Sequence, residues 1–172
     1  MKCQAHNTDG CPECCRAMRA AWTAGRASPQ PESGGGQLAG CRDYPAAIRQ
    51  AGEIIQARHR AVQGGAPGDG EEFWDSAAAQ VLGCYLHAAA LAGLSVRSLE
   101  AWLNNGPAQS TTATEILSMH PRAHGDAAGA LRRAADPRTP KTRDASWFVA
   151  ASAFARAVRA GGEHASPPGS SR

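Results

Sequence analysis

Residues 71–92 read EEFWDSAAAQVLGCYLHAAALA, a stretch in which apolar side chains recur three and four residues apart. Trp74, Val81, Tyr85 and Leu91 follow that spacing, together with alanines at 77, 78 and 88. Residues 77–92 carry no Asp, Glu, Lys or Arg. Because a helix that is apolar on all sides belongs in a protein interior, we expect residues 71–92 to form a central helix enclosed by others.

Five further segments with helical spacing surround this stretch, and they are residues 44–62, 96–103, 112–120, 123–135 and 143–159. Thr112 and Glu115 have the spacing of a capping box, which predicts the start of the fourth helix at Thr112. No segment alternates apolar and polar residues in the manner of a strand. The sequence therefore predicts an all-α fold, a compact bundle of about six helices.

The composition indicates a core with few large side chains. The chain has 37 Ala but only 21 residues of Leu, Ile, Val and Phe combined. Alanine favours helices and buries little area, so large rings must supply much of the apolar surface. We expect that contribution from the four tryptophans, Trp22, Trp74, Trp102 and Trp147.

Composition also divides the chain into four parts: a Cys/His-rich segment over 1–24, a flexible Pro/Gly/Ser linker over 25–40, a helical domain over 41–160 and a disordered tail over 161–172. No apolar run reaches the roughly 18 residues of a membrane helix, and the N-terminus lacks a signal-peptide pattern. We therefore expect a cytoplasmic protein without membrane insertion, whose six cysteines are reduced or bind metal.

The N-terminal segment carries a candidate zinc site. Cys3 and His6 form one close pair and Cys11 and Cys14 another, and Zn²⁺ takes four such ligands tetrahedrally. Cys15 could replace Cys14. The alternative is a cysteine-containing leader without metal.

The densest basic stretch lies between the last two predicted helices and is predicted to be mostly loop. It carries five cations, namely Arg132, Arg133, Arg138, Lys141 and Arg143. These residues are the candidate surface for nucleic acid or an acidic partner. In the alternative interpretation, the first two arginines complement a helix C-terminus and the others are solvated.

Residues 95–103 permit a second interpretation, as the recognition helix of a helix-turn-helix DNA-binding regulator. Ala89, Gly93 and Ser95 have the spacing of that motif's turn and helix cap, and the helix would run to Leu103. The side chains that would face the major groove are Arg97, Ser98 and Glu100. The single arginine argues against it, because phosphate contacts dominate DNA affinity.

The sequence offers no catalytic constellation. His59, His87, His120 and His124 have no partner at metal-binding or catalytic spacing, and no Ser, His and acid set is arguable. We interpret His87, within the central stretch, as a core histidine whose hydrogen bonds are satisfied. The expectation is a protein that is not an enzyme.

Residues 73–90, FWDSAAAQVLGCYLHAAA, resemble the "FW…AA..VL…LHAAA" signature of the all-α domain of TraG/TraD-type conjugative coupling ATPases, particularly the actinobacterial type IV secretion members. The likeness extends over about residues 40–158. It includes Gly40-Cys41-Arg42-Asp43, a short helix ending at Trp102, and Asp136-Pro137-Arg138-Thr139, although Ser146 follows at a longer spacing.

That resemblance implies a helical module that contacts DNA or a relaxosome protein during conjugative transfer. It implies no ATPase here, because a phosphate-binding loop needs G-x4-G-K-[ST]. Lys141-Thr142 is preceded by Pro140 and Ala135 where glycines are required, so no nucleotide is expected. The chain could be a stand-alone module or the remnant of a larger transfer ATPase gene.

Overall fold

The computed structural model describes residues 38–63 and 71–163, with the side chains of 61–63, 71, 162 and 163 excepted. In these ranges the chain is helical and contains no strand, which confirms the predicted all-α bundle of about six helices. The α-helices are α1 (Tyr44–Gln63), α2 (Glu71–Ala92), α3 (Val96–Asn104), α4 (Ser110–Met119), α5 (Ala127–Ala134) and α6 (Pro140–Glu163). Short 3-10 helices span Ala39–Arg42 and Gly106–Gln109.

The helix α2 is the centre of the bundle, as its uncharged sequence predicts. Every residue from Val81 to Leu91 is buried. The neighbours of α2 are the 3-10 helix Ala39–Arg42, α1, α4, α5 and α6, with a smaller contact to α3. The absence of charge in this stretch therefore reflects enclosure on all sides.

Small residues let α1 approach α2 very closely. A Cβ built on Gly83 would lie 3.1 Å from Ile48 Cα and 3.3 Å from Ile48 Cγ1, closer than packed carbon atoms normally come. Ala47 and Ala51 on the same helix are fully buried. The alanine-rich composition thus produces closely packed helices, with the backbone of one against the side chains of the next.

Aromatic rings fill the space between α2, α3 and α6. Tyr85 meets Trp102 and Trp147 edge to face, with ring centroids 6.1 Å apart in both pairs. Trp147 is only 2% exposed and Trp102 is half-buried. Edge-to-face pairs suit the charge distribution of aromatic rings, so this cluster provides the large apolar area that alanine lacks.

The prediction that Trp74 belongs to the core is wrong. Its side chain is only partly buried, and it meets the ring of Phe73, itself 60% exposed, edge to face at 5.1 Å. The buried part of α2 begins at Ala78, one turn later. The first turn of α2 therefore carries its aromatic pair at the surface.

Several helix ends differ from those predicted. The capping box is not formed, because α4 begins at Ser110 and Thr112 lies inside it; the 3-10 helix Gly106–Gln109 runs directly into α4. Residues 120–126 form turns, so α5 begins at Ala127. The last helix, α6, is longer at both ends than predicted.

Leu38, the first residue that the structure describes, is 3% exposed, so this part of the predicted linker packs in the core. The rest of that linker, the segment 1–24 and the tail after Glu163 lie outside the described residues. Of the helices described, none is long and apolar enough to span a membrane.

Candidate functional site

The basic segment has less loop than its sequence suggests. The helix α5 ends at Ala134 and α6 begins at Pro140, so Lys141 and Arg143 lie in the first turn of α6. A proline is tolerated there because a first-turn N–H has no partner within the helix. The prediction that the basic segment is mostly loop is therefore wrong, because only residues 135–139 connect the two helices.

Two of the five cations are paired with carboxylates close by in sequence. The Arg138 guanidinium donates to both oxygens of Asp136, with Nη2 2.7 Å from Oδ2, and these bonds lower the pKa of the Asp136 carboxyl. The Arg143 Nε donates to Asp144 Oδ1 at 2.8 Å. The positive charges of Arg138 and Arg143 are thus partly neutralised by carboxylates of the same chain.

Three cations remain without a carboxylate among the described residues. Arg132 donates from Nη1 to the hydroxyl of Ser118 at 3.4 Å, and neither Arg133 nor Lys141 forms an ion pair with another residue that the structure describes. All three side chains are exposed. The predicted binding surface therefore narrows to Arg132, Arg133 and Lys141 as the positions with uncompensated positive charge.

Arg133 borders a groove of about 390 Å³ where α2, α5 and α6 meet. Gln80 and Ala77 of α2 line one side, with Thr139, Thr142 and Ser146 on the other. The Arg133 guanidinium folds back along α5, since its Nη1 would lie 3.4 Å from a Cβ built on Gly129. The fold thus brings this arginine beside hydroxyl groups of α6, which sequence spacing alone does not indicate.

The segment of the alternative interpretation has the local geometry that its sequence predicts. Gly93 has φ +67°, and Leu94 N–H donates to Ala89 O at 2.9 Å, which closes α2 in a Schellman motif. The Ser95 hydroxyl caps α3 by accepting the Ser98 N–H at 3.2 Å. These features also occur in ordinary helix connections, so they do not distinguish a recognition helix from a bundle helix.

The exposed face of α3 offers little for DNA. Leu99 and Leu103 are buried against the bundle, and α3 packs mainly on α6. Arg97 is exposed, and the Ser98 hydroxyl bonds to that of Ser95 at 3.0 Å. Ser98 is therefore part of the helix cap.

His87 is a core histidine with both ring nitrogens bonded, as predicted. Its Nδ1–H donates to the Cys41 carbonyl at 2.9 Å, and its Nε2 accepts the His124 N–H at 3.3 Å. This arrangement needs the neutral ring, and burial lowers the pKa of His87. One side chain thus ties α2 to the 3-10 helix Ala39–Arg42 and to the turns before α5.

His59 has a partner that its position in the sequence does not indicate. His59, on α1, is 7% exposed, and its Nε2 lies within hydrogen-bonding distance of Asp75 Oδ2 on α2. The two residues are adjacent only because α1 and α2 pack side by side. Sequence spacing carries no signal for such a pair.

The described part of the chain contains no group of three or more His, Cys, Asp or Glu that could hold a metal ion. Cys3, His6, Cys11, Cys14 and Cys15 lie outside it.

The two cysteines that the structure describes, Cys41 and Cys84, are free and fully buried. Burial raises the pKa of both, that of Cys41 to about 11. Both thiols are therefore protonated and shielded, which suits packing rather than chemistry.

Comparisons of the chain with family models, curated proteins and solved structures found no match.

Proposed function

We propose that this chain is a non-enzymatic helical module that binds DNA through the positively charged surface formed by Arg132, Arg133 and Lys141, and that it acts in conjugative DNA transfer. The observation that carries the DNA-binding part is that none of these three exposed cations has a carboxylate partner within residues 38–63 and 71–163. Salt-bridged surfaces gain little from a phosphate, whereas uncompensated cations gain the full release of counterions.

The place in conjugation rests on the resemblance of residues 73–90 to the all-α domain of coupling ATPases. The buried helix α2 contains that run, so the residues that carry the resemblance are mostly core residues. They support kinship of the fold, and the surface cations support the chemistry of the partner. An acidic relaxosome protein would engage the same surface and is the competing outcome of the experiment below.

The test measures fluorescence anisotropy of a labelled short DNA duplex of mixed sequence, titrated with the full chain over a series of salt concentrations. We expect Kd of roughly 10⁻⁶ to 10⁻⁴ M near physiological salt and steeply weaker binding as salt rises. Replacing Arg132 and Lys141 together by Glu should weaken binding more than about tenfold, the effect of roughly 1.4 kcal/mol.

The matched control replaces Arg156 and Arg159 by Glu. Both are exposed near the other end of α6, and the change in net charge is the same. We expect this variant to bind within about twofold of the unmodified chain, because screening confines the effect to charges near the bound phosphates. Equal losses in both variants would refute a defined surface, and no binding at low salt would refute the DNA proposal. Capture of a purified relaxase in the absence of DNA would then favour the protein partner.

A second candidate is the helix-turn-helix regulator, with which the Gly93 turn, the Ser95 cap and the exposed Arg97 are compatible. Its test is Arg97→Ala, because Ser98 belongs to the cap and its replacement would disturb the helix. A sequence-reading helix would lose affinity at one DNA sequence only, whereas a phosphate-binding surface weakens uniformly. If Arg97→Ala changed the affinity equally, or not at all, for every DNA sequence tested, this candidate would be excluded.

A further inference from the structure

We infer that the groove between α2, α5 and α6 is a binding site for a single phosphate group, held by the Arg133 guanidinium and the hydroxyls of Thr139 and Thr142. The inference rests on the proposed DNA-binding function and deepens it, since the ligand class is the phosphodiester group. Inorganic phosphate has the same chemistry and serves as the small probe.

The lining of the groove favours an anion. Its volume is about 390 Å³, and none of the described residues that line it is a carboxylate. The groove between α3 and α6, by contrast, is lined by Asp144 along with Trp147 and Phe148. The polar residues that line the first groove are therefore one cation and four neutral side chains, and they are Arg133, Gln80, Thr139, Thr142 and Ser146. The other described residues that line it are small, and they are Ala77, Ala130 and Ala134.

Arg133 is the member of the basic surface best placed to hold a phosphate. Its neighbour Arg132 donates to Ser118 Oγ, and Arg138 and Arg143 are occupied by Asp136 and Asp144. Arg133 has none of these partners, and it lies close enough to α2 for its charge to act on the Cys84 thiol. A guanidinium presents paired N–H donors that match two oxygens of one phosphate.

The walls of the groove are held in place by partly buried hydrogen bonds. The Gln80 amide nitrogen donates to the Tyr44 hydroxyl and, at 3.6 Å, to Cys84 Sγ. Ser146, 3% exposed, donates from its hydroxyl to the Thr142 carbonyl at 2.8 Å. Gln80 and Ser146 are thus directed inward and fix the shape of the groove, so binding need not reorganise it.

The donors left for a ligand are the guanidinium and two threonine hydroxyls. Thr139 Oγ1 donates to the Asp136 carbonyl at 3.4 Å, a long bond that a rotation of the hydroxyl can replace. The Thr142 side chain is partly buried at the groove, while its carbonyl is occupied by Ser146. A phosphate in the groove would therefore accept hydrogen bonds from one charged guanidinium and two neutral hydroxyls.

The experiment compares Arg133→Gln with Arg132→Gln in the full chain. The first variant removes the charge that borders the groove, and the second removes the same charge one residue away. One arm follows inorganic phosphate binding by chemical shifts of backbone amides, with sodium chloride at matched ionic strength as reference. The other arm measures anisotropy of the short DNA duplex against salt concentration.

We expect phosphate to shift the amides of residues 139–146 in the unmodified chain and in Arg132→Gln, and to leave them unshifted in Arg133→Gln. Duplex binding should weaken about tenfold in Arg133→Gln, with the slope of log K against log salt smaller by about one. The loss in Arg132→Gln should be under about threefold. Thr142→Val, which keeps the side-chain shape and removes the hydroxyl, should weaken phosphate binding even if Arg133→Gln folds poorly.

The outcomes separate the two proposals. Equal losses of duplex binding in the two arginine variants, with no specific phosphate shifts, would overturn the groove and leave a diffuse basic surface standing. Phosphate shifts that depend on Arg133, in a chain that binds no duplex, would support the groove and overturn the DNA-binding function. Neither phosphate shifts nor duplex binding would overturn both.

Discussion

Replacing Gly83 by Ala tests how closely α1 and α2 pack. In an exposed helix interior, this change gains about 1 kcal/mol of helix propensity. At Gly83, however, the new Cβ would lie 3.1 Å from Ile48 Cα, a backbone atom that cannot rotate away. The two helices must separate, and overpacking of this kind costs about 1–3 kcal/mol or somewhat more. A contact with a backbone atom puts the cost of overpacking near the top of its range, and the gain in helix propensity offsets about 1 kcal/mol of it. We therefore expect Gly83→Ala to destabilise the protein by about 1–2 kcal/mol.

The assay is urea denaturation followed by far-ultraviolet circular dichroism, with the free energy of unfolding compared at equal slope. Gly52→Ala in α1 is the matched control, since nothing lies within 4 Å of a Cβ built there. It should stabilise the protein by about 0.5–1 kcal/mol. Adding Ile48→Val to Gly83→Ala removes the nearest side-chain atom and should recover part of the loss. Equal stabilisation by both alanines would refute the close approach of the two helices.

The remaining predictions concern the aromatic cluster, the buried histidine and the N-terminal cluster. Trp147→Ala should cost about 3–5 kcal/mol in urea denaturation and Trp74→Ala less than about half of that, because only the first ring is enclosed; equal costs would contradict the assigned core. The lowered pKa of His87 means that the unfolded chain binds the proton more readily, so stability should fall as the pH drops below 6.5 toward that lowered value. His87→Asn should flatten this part of a pH series of urea midpoints, and an unchanged profile would count against the assigned hydrogen bonds. Elemental analysis should find one zinc per chain and its loss in Cys11→Ser, and a metal-free unmodified chain would dismiss the zinc site.

Local signals in the sequence predicted the parts of the fold that depend on local interactions. The uncharged run in α2 indicated burial, Gly93 marked the end of that helix, and Ser95 marked the start of the next. Each of these follows from the chemistry of one or two residues. The order and number of the helices could therefore be predicted without knowledge of their packing.

The errors arose where packing decides. Trp74 fits the periodicity of the central helix, but the turn that carries it lies beyond the enclosed part of α2. Thr112 and Glu115 have the spacing of a capping box, but α4 already begins at Ser110, directly after the 3-10 helix. In both cases a local pattern was present and the tertiary context determined its role.

The candidate site was predictable as a charged segment and not as a geometry. The sequence identified the five cations but could not show that Arg138 and Arg143 are paired with neighbouring acids while Arg133 borders a groove with α2. Pairing depends on side-chain directions at a helix connection, and the groove depends on contacts more than forty residues apart along the chain. The contact of His59 with Asp75 could not be predicted for the same reason.

Enclosure of α2 by the other helices is tested most directly by native-state hydrogen exchange of its amides. Amides within residues 81–91 should exchange only through global unfolding, with an opening free energy equal to that measured by urea denaturation. Those at the exposed end of α6, near Ala160, should exchange far faster. If residues 81–91 exchanged as quickly as that end, α2 would be open to water, and the arrangement of α5 and α6 against it would be wrong.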